Sequence, residues 1–268
     1  MVWSISHAEP LYLKEERLVV YRDDQHVIEC YAWRTRKRLW SYSVGASNVW
    51  IEGAIERGGR FYWVSYDIGT RTDVLCLSMA DGKLLAERAF DGSRAFMPAC
   101  DGPLVFFGCD HWMHALDART LQRKWACYDA GNVSPMRVGG WVVTQGYGHW
   151  VTAVSVAQQR ATWRHSALRG SAHNLTKGRG GSLLVVEALE DPPVLAGIDV
   201  ATGKIAWRNW LSVSRYGNEH TTAGCGRFVY ATGINARAYK QKKELGGFYC
   251  LEGATGRLRW RYERHQLQ

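Results

Sequence analysis

An eleven-residue segment recurs six times along this chain and closes on tryptophan in five of its copies. The copies span residues 30–40, 76–86, 115–125, 153–163, 197–207 and 250–260; the second ends in Ala86 where the others carry Trp40, Trp125, Trp163, Trp207 and Trp260. The closing positions stand 46, 39, 38, 44 and 53 residues apart. Spacing of that size marks a repeat architecture in which each unit is one supersecondary motif. Each copy reads as an apolar strand, a tight turn such as Ala201-Thr202-Gly203-Lys204, and a second strand bearing the tryptophan. Glycine in that turn suits the positive φ that tight hairpins demand.

Upstream of each copy lies another apolar run, at 18–21, 61–64, 104–107, 141–144, 183–186 and 228–231. Most are preceded by a small-residue turn, including Gly58-Gly59, Asp101-Gly102, Gly139-Gly140 and Gly180-Gly181. Each unit is therefore predicted as strands A, B, C and D, with the tryptophan on D. No stretch shows a 3.6-residue apolar period, so the chain is expected to be all-β.

The segment 115–125, Ala-Leu-Asp-Ala-Arg-Thr-Leu-Gln-Arg-Lys-Trp, and its counterpart 197–207 resemble the PQQ-like propeller repeat. That resemblance implies a β-propeller whose tryptophans dock between neighbouring blades. The expected architecture is a single six-bladed domain of four-stranded antiparallel blades over 1–268. Its blades fall at about 1–44, 45–91, 92–129, 130–168, 169–212 and 213–268. Val2-Trp3-Ser4-Ile5-Ser6 resembles Leu39-Trp40-Ser41-Tyr42-Ser43, so seven blades or a displaced closing strand is the alternative.

Several function classes are excluded or disfavoured by composition. No apolar run approaches a membrane span, and residues 1–10 show no signal-like pattern, so a cytoplasmic, non-membrane protein is expected. Seven cysteines form no CxxC pair, and an odd count argues against a complete disulfide framework. Cys30, Cys76 and Cys250 fall at one repeat position where other copies carry alanine or glycine, which reads as a tightly packed small-residue site. His26, His111 and His149 align at the B–C turns and read as packing residues rather than a metal site. No nucleotide-binding or nucleophile motif is present. The pyrroloquinoline quinone enzymes that share the repeat are larger and carry an acid cluster without a counterpart here, so no cofactor and no metal are expected.

Two surfaces emerge as candidate ligand or partner sites. The D–A connections form a polar collar with His7, Ser47, Asn48, Arg94, Asn132, Ser134, His173, Asn174, Asn218, Glu219 and His220. An insertion in the last repeat is basic, with Tyr239, Lys240, Lys242 and Lys243. The net charge of +9 is also concentrated on C–D turns, at Arg34, Arg36, Lys37, Arg38, Arg123 and Arg257 among others. No catalytic residues can be assigned. The expected function is protein binding, as an intracellular adaptor or toxin-immunity-type protein with another protein, acidic in character, as partner. Nucleic acid is disfavoured. The alternative is a small-molecule-binding or enzymatic propeller using the collar.

Overall fold

One turn, repeated in every unit, sets the geometry of the sheets. The structure, a computed structural model, describes residues 5, 7–45, 49–67, 71–92, 94–130, 135–145, 150–165, 175–177, 183–188, 194–209, 222–225, 227–234 and 246–263. In it the C–D turn residues Arg36, Gly82, Leu121, Gln159, Gly203 and Gly256 all adopt positive φ, between 55° and 72°. Each of their N–H groups donates to the carbonyl four residues back at 2.7 or 2.8 Å. Only three of the six are glycine, so the backbone holds this left-handed conformation even where a side chain makes it costly.

The acidic residue of the repeat caps that turn. Asp117 Oδ1 accepts the N–H groups of Arg119 at 2.9 Å and Thr120 at 3.0 Å, and Asp199 Oδ1 accepts that of Thr202 at 2.9 Å. These donors favour the charged form and hold the Asp117 carboxyl at about 2.

On either side of the turn the strands pair antiparallel, and each sheet contains four consecutive strands in chain order. The six sheets span 8–43, 49–91, 95–128, 136–165, 175–209 and 222–263. No helix occurs among the described residues. The chain divides into two compact units, 1–135 and 136–268, each holding three of the sheets. The segment 2–6, read as a displaced strand, lies almost wholly outside the described residues.

The tryptophan position faces the small-residue position across strands C and D in every sheet. The pairs are Cys30 with Trp40, Cys76 with Ala86, Ala115 with Trp125, Ala153 with Trp163, Gly197 with Trp207 and Cys250 with Trp260. A β-bulge follows each pair. A bulge bends its strand and increases the local twist, and here its recurrence fixes how the indole is aimed. The partner position must be small: a Cβ on Gly197 would sit 2.2 Å from Trp207 Nε1. Cys30, Cys76 and Cys250 are buried there, and burial raises their thiol pKa, so they pack as small apolar residues.

Within each unit the indoles lock one sheet onto the next. Trp40 Nε1 donates to Met79 O at 3.1 Å, Trp163 Nε1 to Val200 O at 2.6 Å and Trp207 Nε1 to Gly253 O at 3.0 Å. Each ring also lies over the turn glycine of the sheet it docks on: a Cβ added to Gly82, Gly203 or Gly256 would meet it at 2.7, 2.7 or 2.3 Å. Glycine is thus required twice at these turns, for its φ and for the close approach.

The junction between the second and third sheets is built differently. Ala86 stands where the docking tryptophan would be, and Leu121 stands where the turn glycine would be, at φ 55°. Leu121 is fully buried, in one apolar cluster with Tyr62, Cys76 and Ala86. The carbonyl that an indole would bond, Ala118 O, accepts the Tyr62 hydroxyl at 2.8 Å instead. One large side chain has been exchanged for another arriving from the opposite side, and the buried acceptor stays satisfied.

Candidate functional site

The first sheet departs from the repeat at one exposed residue. Its segment 30–40 places Trp33 at the position filled by Met79, Ala118, Val156, Val200 and Gly253 elsewhere. The backbone there is ordinary for the repeat: Trp33 N–H donates to Glu16 O at 3.1 Å, as Met79 N–H does to Gly59 O at 2.8 Å. Met79 is 5 % exposed and Val200 is fully buried, but Trp33 is 41 % exposed.

Two contacts orient the Trp33 ring. Its Nε1 donates to Glu15 O at 3.0 Å, across the A–B turn. The Arg34 guanidinium lies over it, 5.2 Å from the ring centroid, and that arginine also pairs with Glu16 at 3.3 Å. Glu15 and Arg36, both at positive φ, fix the two turns that flank the ring. Leu13, 67 % exposed, lies on the strand that enters the same A–B turn.

A depression of about 490 Å³ that includes Glu15, the ring's hydrogen-bond partner, is also lined by Tyr12, Lys14, Arg17, Glu56 and Met79 among others. Arg17 Nη1 donates to Met79 O, sharing that carbonyl with the Trp40 indole. The Tyr12 hydroxyl donates to Glu56 Oε2 at 3.0 Å. Burial, reinforced by Glu56, pushes its pKa up to about 12, so it stays a neutral donor. An exposed indole with a stacked arginine, bonded to a residue that lines a mixed-charge depression, is suited to binding a protein surface. It presents no nucleophile paired with a base.

Several cations of the C–D turns are held in ion pairs within their own sheets. Arg38 pairs with Glu29, which is fully buried and also accepts the Tyr31 hydroxyl at 2.6 Å. Lys124 pairs with Asp117 at 3.4 Å, and Arg257 and Arg259 pair with Glu252 at 3.4 and 3.3 Å. Part of the positive charge of the C–D turns is therefore stapled to acids of the same repeats. The more exposed of these pairs, Lys124–Asp117 and Arg257–Glu252, contribute little to stability but offset the field that would steer a partner. His26 and His111 do lie at B–C turns, where their carbonyls accept Val44 N–H at 2.8 Å and Ala130 N–H at 3.1 Å. Among the described residues no three metal-ligating side chains converge.

Of the collar, His7 and Arg94 are described: both are exposed, and Arg94 O accepts Asp110 N–H at 2.8 Å. Ser47, Asn48, Asn132, Ser134, His173, Asn174, Asn218, Glu219 and His220 lie outside the described residues, as do Tyr239, Lys240, Lys242, Lys243 and His149. Trp33 was missed as a site residue because its segment was read only for its period. Alignment of the six copies would have shown it as the sole aromatic at its position.

A family profile described as outer membrane protein assembly factor BamB matches residues 147–268. The repeats within that segment are similar to the PQQ-like propeller type. A search of curated protein sequences finds no match. Among solved structures, BamB from Moraxella catarrhalis superposes with a TM-score of 0.67 at 15% identity, over 93% of this chain and 74% of that one. Sqt1 from Saccharomyces cerevisiae gives 0.67 at 12%, over 92% and 70%. KlHsv2, with its loop 6CD replaced by a Gly-Ser linker, gives 0.73 at 11%, over 98% and 88%. The chain is an all-β protein of the β-propeller class. At such identities the likeness carries the fold and not an activity.

Proposed function

We propose that this PQQ-like propeller is a non-catalytic protein-binding module, an adaptor or toxin-immunity-type protein. Its interface is the turn end of the first sheet around Trp33. The observation that carries this reading is the exposed indole at a repeat position where Met79, Val200 and Gly253 are buried and Ala118 and Val156 are half-buried. Tryptophan and arginine dominate the energetics of protein interfaces, and a ring already oriented by a hydrogen bond and a stacked arginine loses little entropy on binding. Arg34 stacks on the ring and Lys37 follows in the same C–D turn, which favours an acidic partner surface. The relation to a family described as an outer membrane protein assembly factor supports a role in protein assembly. A cytoplasmic setting accords with six described cysteines that are all unbridged.

The test is a native-extract pull-down with wild-type protein and with the Trp33→Ala/Arg34→Ala variant. The expected result is an acidic protein captured in stoichiometric amount by the wild type and lost by the variant. Recovery of no stoichiometric protein, or equal recovery by both, would count against this function.

A further inference from the structure

The altered junction between the second and third sheets leaves a groove of about 690 Å³. Strand D of the second sheet, Leu84–Asp91, alternates so that Ala86, Arg88 and Phe90 share the face turned to the third sheet. Phe90 packs there on Phe107 and His114, at centroid distances of 4.9 and 4.8 Å. Ala86, in place of a tryptophan, keeps this edge free of a docked indole, and Arg88 and Phe90 line the groove with Arg71, Trp112, His114 and Arg123.

Two of the three arginines are uncommitted. Arg71 pairs with Asp73 at 2.8 Å. Among the described residues, Arg88 and Arg123 are in no ion pair; Arg88 instead lies over Phe90, 5.5 Å from its centroid. Asp91 and Asp110 also line the groove. His114 is 6 % exposed, stacked on Phe107 at 5.0 Å and 19°, and its Nδ1 has no hydrogen-bond partner. Burial, with Arg123 and Arg88 adding to it, lowers its pKa to about 4, so the imidazole is neutral and the field on it is positive. Trp112, 44 % exposed, stands edge-on to Tyr128 at 5.0 Å and offers a flat apolar wall.

Guanidinium groups without a carboxylate partner are the groups proteins use to grip carboxylates and phosphates, two donors at a time. An aromatic wall beside them selects a ring on the same ligand. The volume falls within the range of small-molecule sites. We propose that this groove binds a small aromatic oxyanion, with Arg88 and Arg123 holding the charged head and Trp112 flanking the ring. The site shares no residue with the Trp33 surface and stands independently of the function proposed for it.

Calorimetric titration with phenyl phosphate tests this. The expected result is saturable one-to-one binding, weakened at least tenfold in Arg88→Ala/Arg123→Ala. Trp112→Ala should weaken phenyl phosphate binding more than binding of inorganic phosphate. The distant pair Arg34→Ala/Lys37→Ala should bind as the wild type does. Should circular dichroism show the alanine pair unfolded, Arg88→Lys/Arg123→Lys replaces it. That pair keeps the charge but loses the planar fork, and must still weaken binding. Absence of saturable binding, undiminished binding in the arginine variants, or an equal loss in the distant pair would each overturn the proposal.

Discussion

Trp40 and Trp33 lie seven residues apart in the same sheet, and they show the two uses this chain makes of its largest side chain. Trp40 is 6 % exposed, bonds Met79 O and covers Gly82. Trp33 is 41 % exposed and, among the described residues, donates its one hydrogen bond across its own sheet's turn. The junction at Ala86 shows what happens when the repeat is broken but the fold needs the contact: Tyr62 supplies the hydrogen bond and Leu121 the bulk. At Trp33 the large ring is left exposed instead. A broken local rule that is compensated inside the molecule belongs to stability, whereas one left uncompensated at the surface marks a place kept for something else.

The exchange at the Ala86 junction can be broken deliberately, and the effect is the largest expected here. Leu121→Gly removes a buried side chain and should cost about 2–5 kcal/mol despite relieving the left-handed strain. Ala86→Trp alone should be destabilising by overpacking, by about 1–3 kcal/mol. Together they recreate the tryptophan-over-glycine arrangement of the other junctions. Urea unfolding of the double variant should therefore show a loss well below the sum of the two single losses. Simple additivity would show that Leu121 does not occupy the tryptophan's place.

His114 gives the next effect, and it sharpens the same junction. Its folded pKa of about 4 lies below the ordinary histidine value of 6.5, because the ring is buried against Phe90 and Phe107 with Arg88 and Arg123 nearby. The unfolded chain therefore binds the proton first. Stability from this group is complete above pH 6.5 and is lost as pH falls towards 4, by at most about 3 kcal/mol. Unfolding free energies of wild type and His114→Phe at pH 7.5 and 4.5 should diverge by an amount of this order, with the wild type losing more on acidification. An identical pH response in the two proteins would contradict a neutral, buried imidazole.

Much of the fold was legible in the residues. The spacing of the tryptophans marked the repeats, and the runs beginning at Leu18, Phe61 and Leu104 fell on strands B of their sheets. The C–D turn was recognisable from Thr202-Gly203 and Thr255-Gly256, but not from Arg36, Leu121 or Gln159, whose positive φ is imposed by the strands around them. The bulge after each C–D pair left no trace, since it depends on register rather than residue type. The candidate sites were harder to read. The groove collects Arg71, Arg88 and Arg123 from three separate strands, and only the pairing of those strands brings them together. The basic turns looked like a free surface because the partner acids, such as Glu29, lie in neighbouring strands.

The account rests on Trp33 being surplus to the fold, and urea unfolding of Trp33→Ala beside Trp40→Ala tests that most directly. Trp40→Ala should lose about 3–5 kcal/mol, as expected for a buried aromatic truncated in a core. Trp33→Ala should lose less than about 1 kcal/mol, the worth of one exposed hydrogen bond and one surface cation–π contact. Comparable losses from the two would make Trp33 a structural residue and remove the ground for the interface proposed around it.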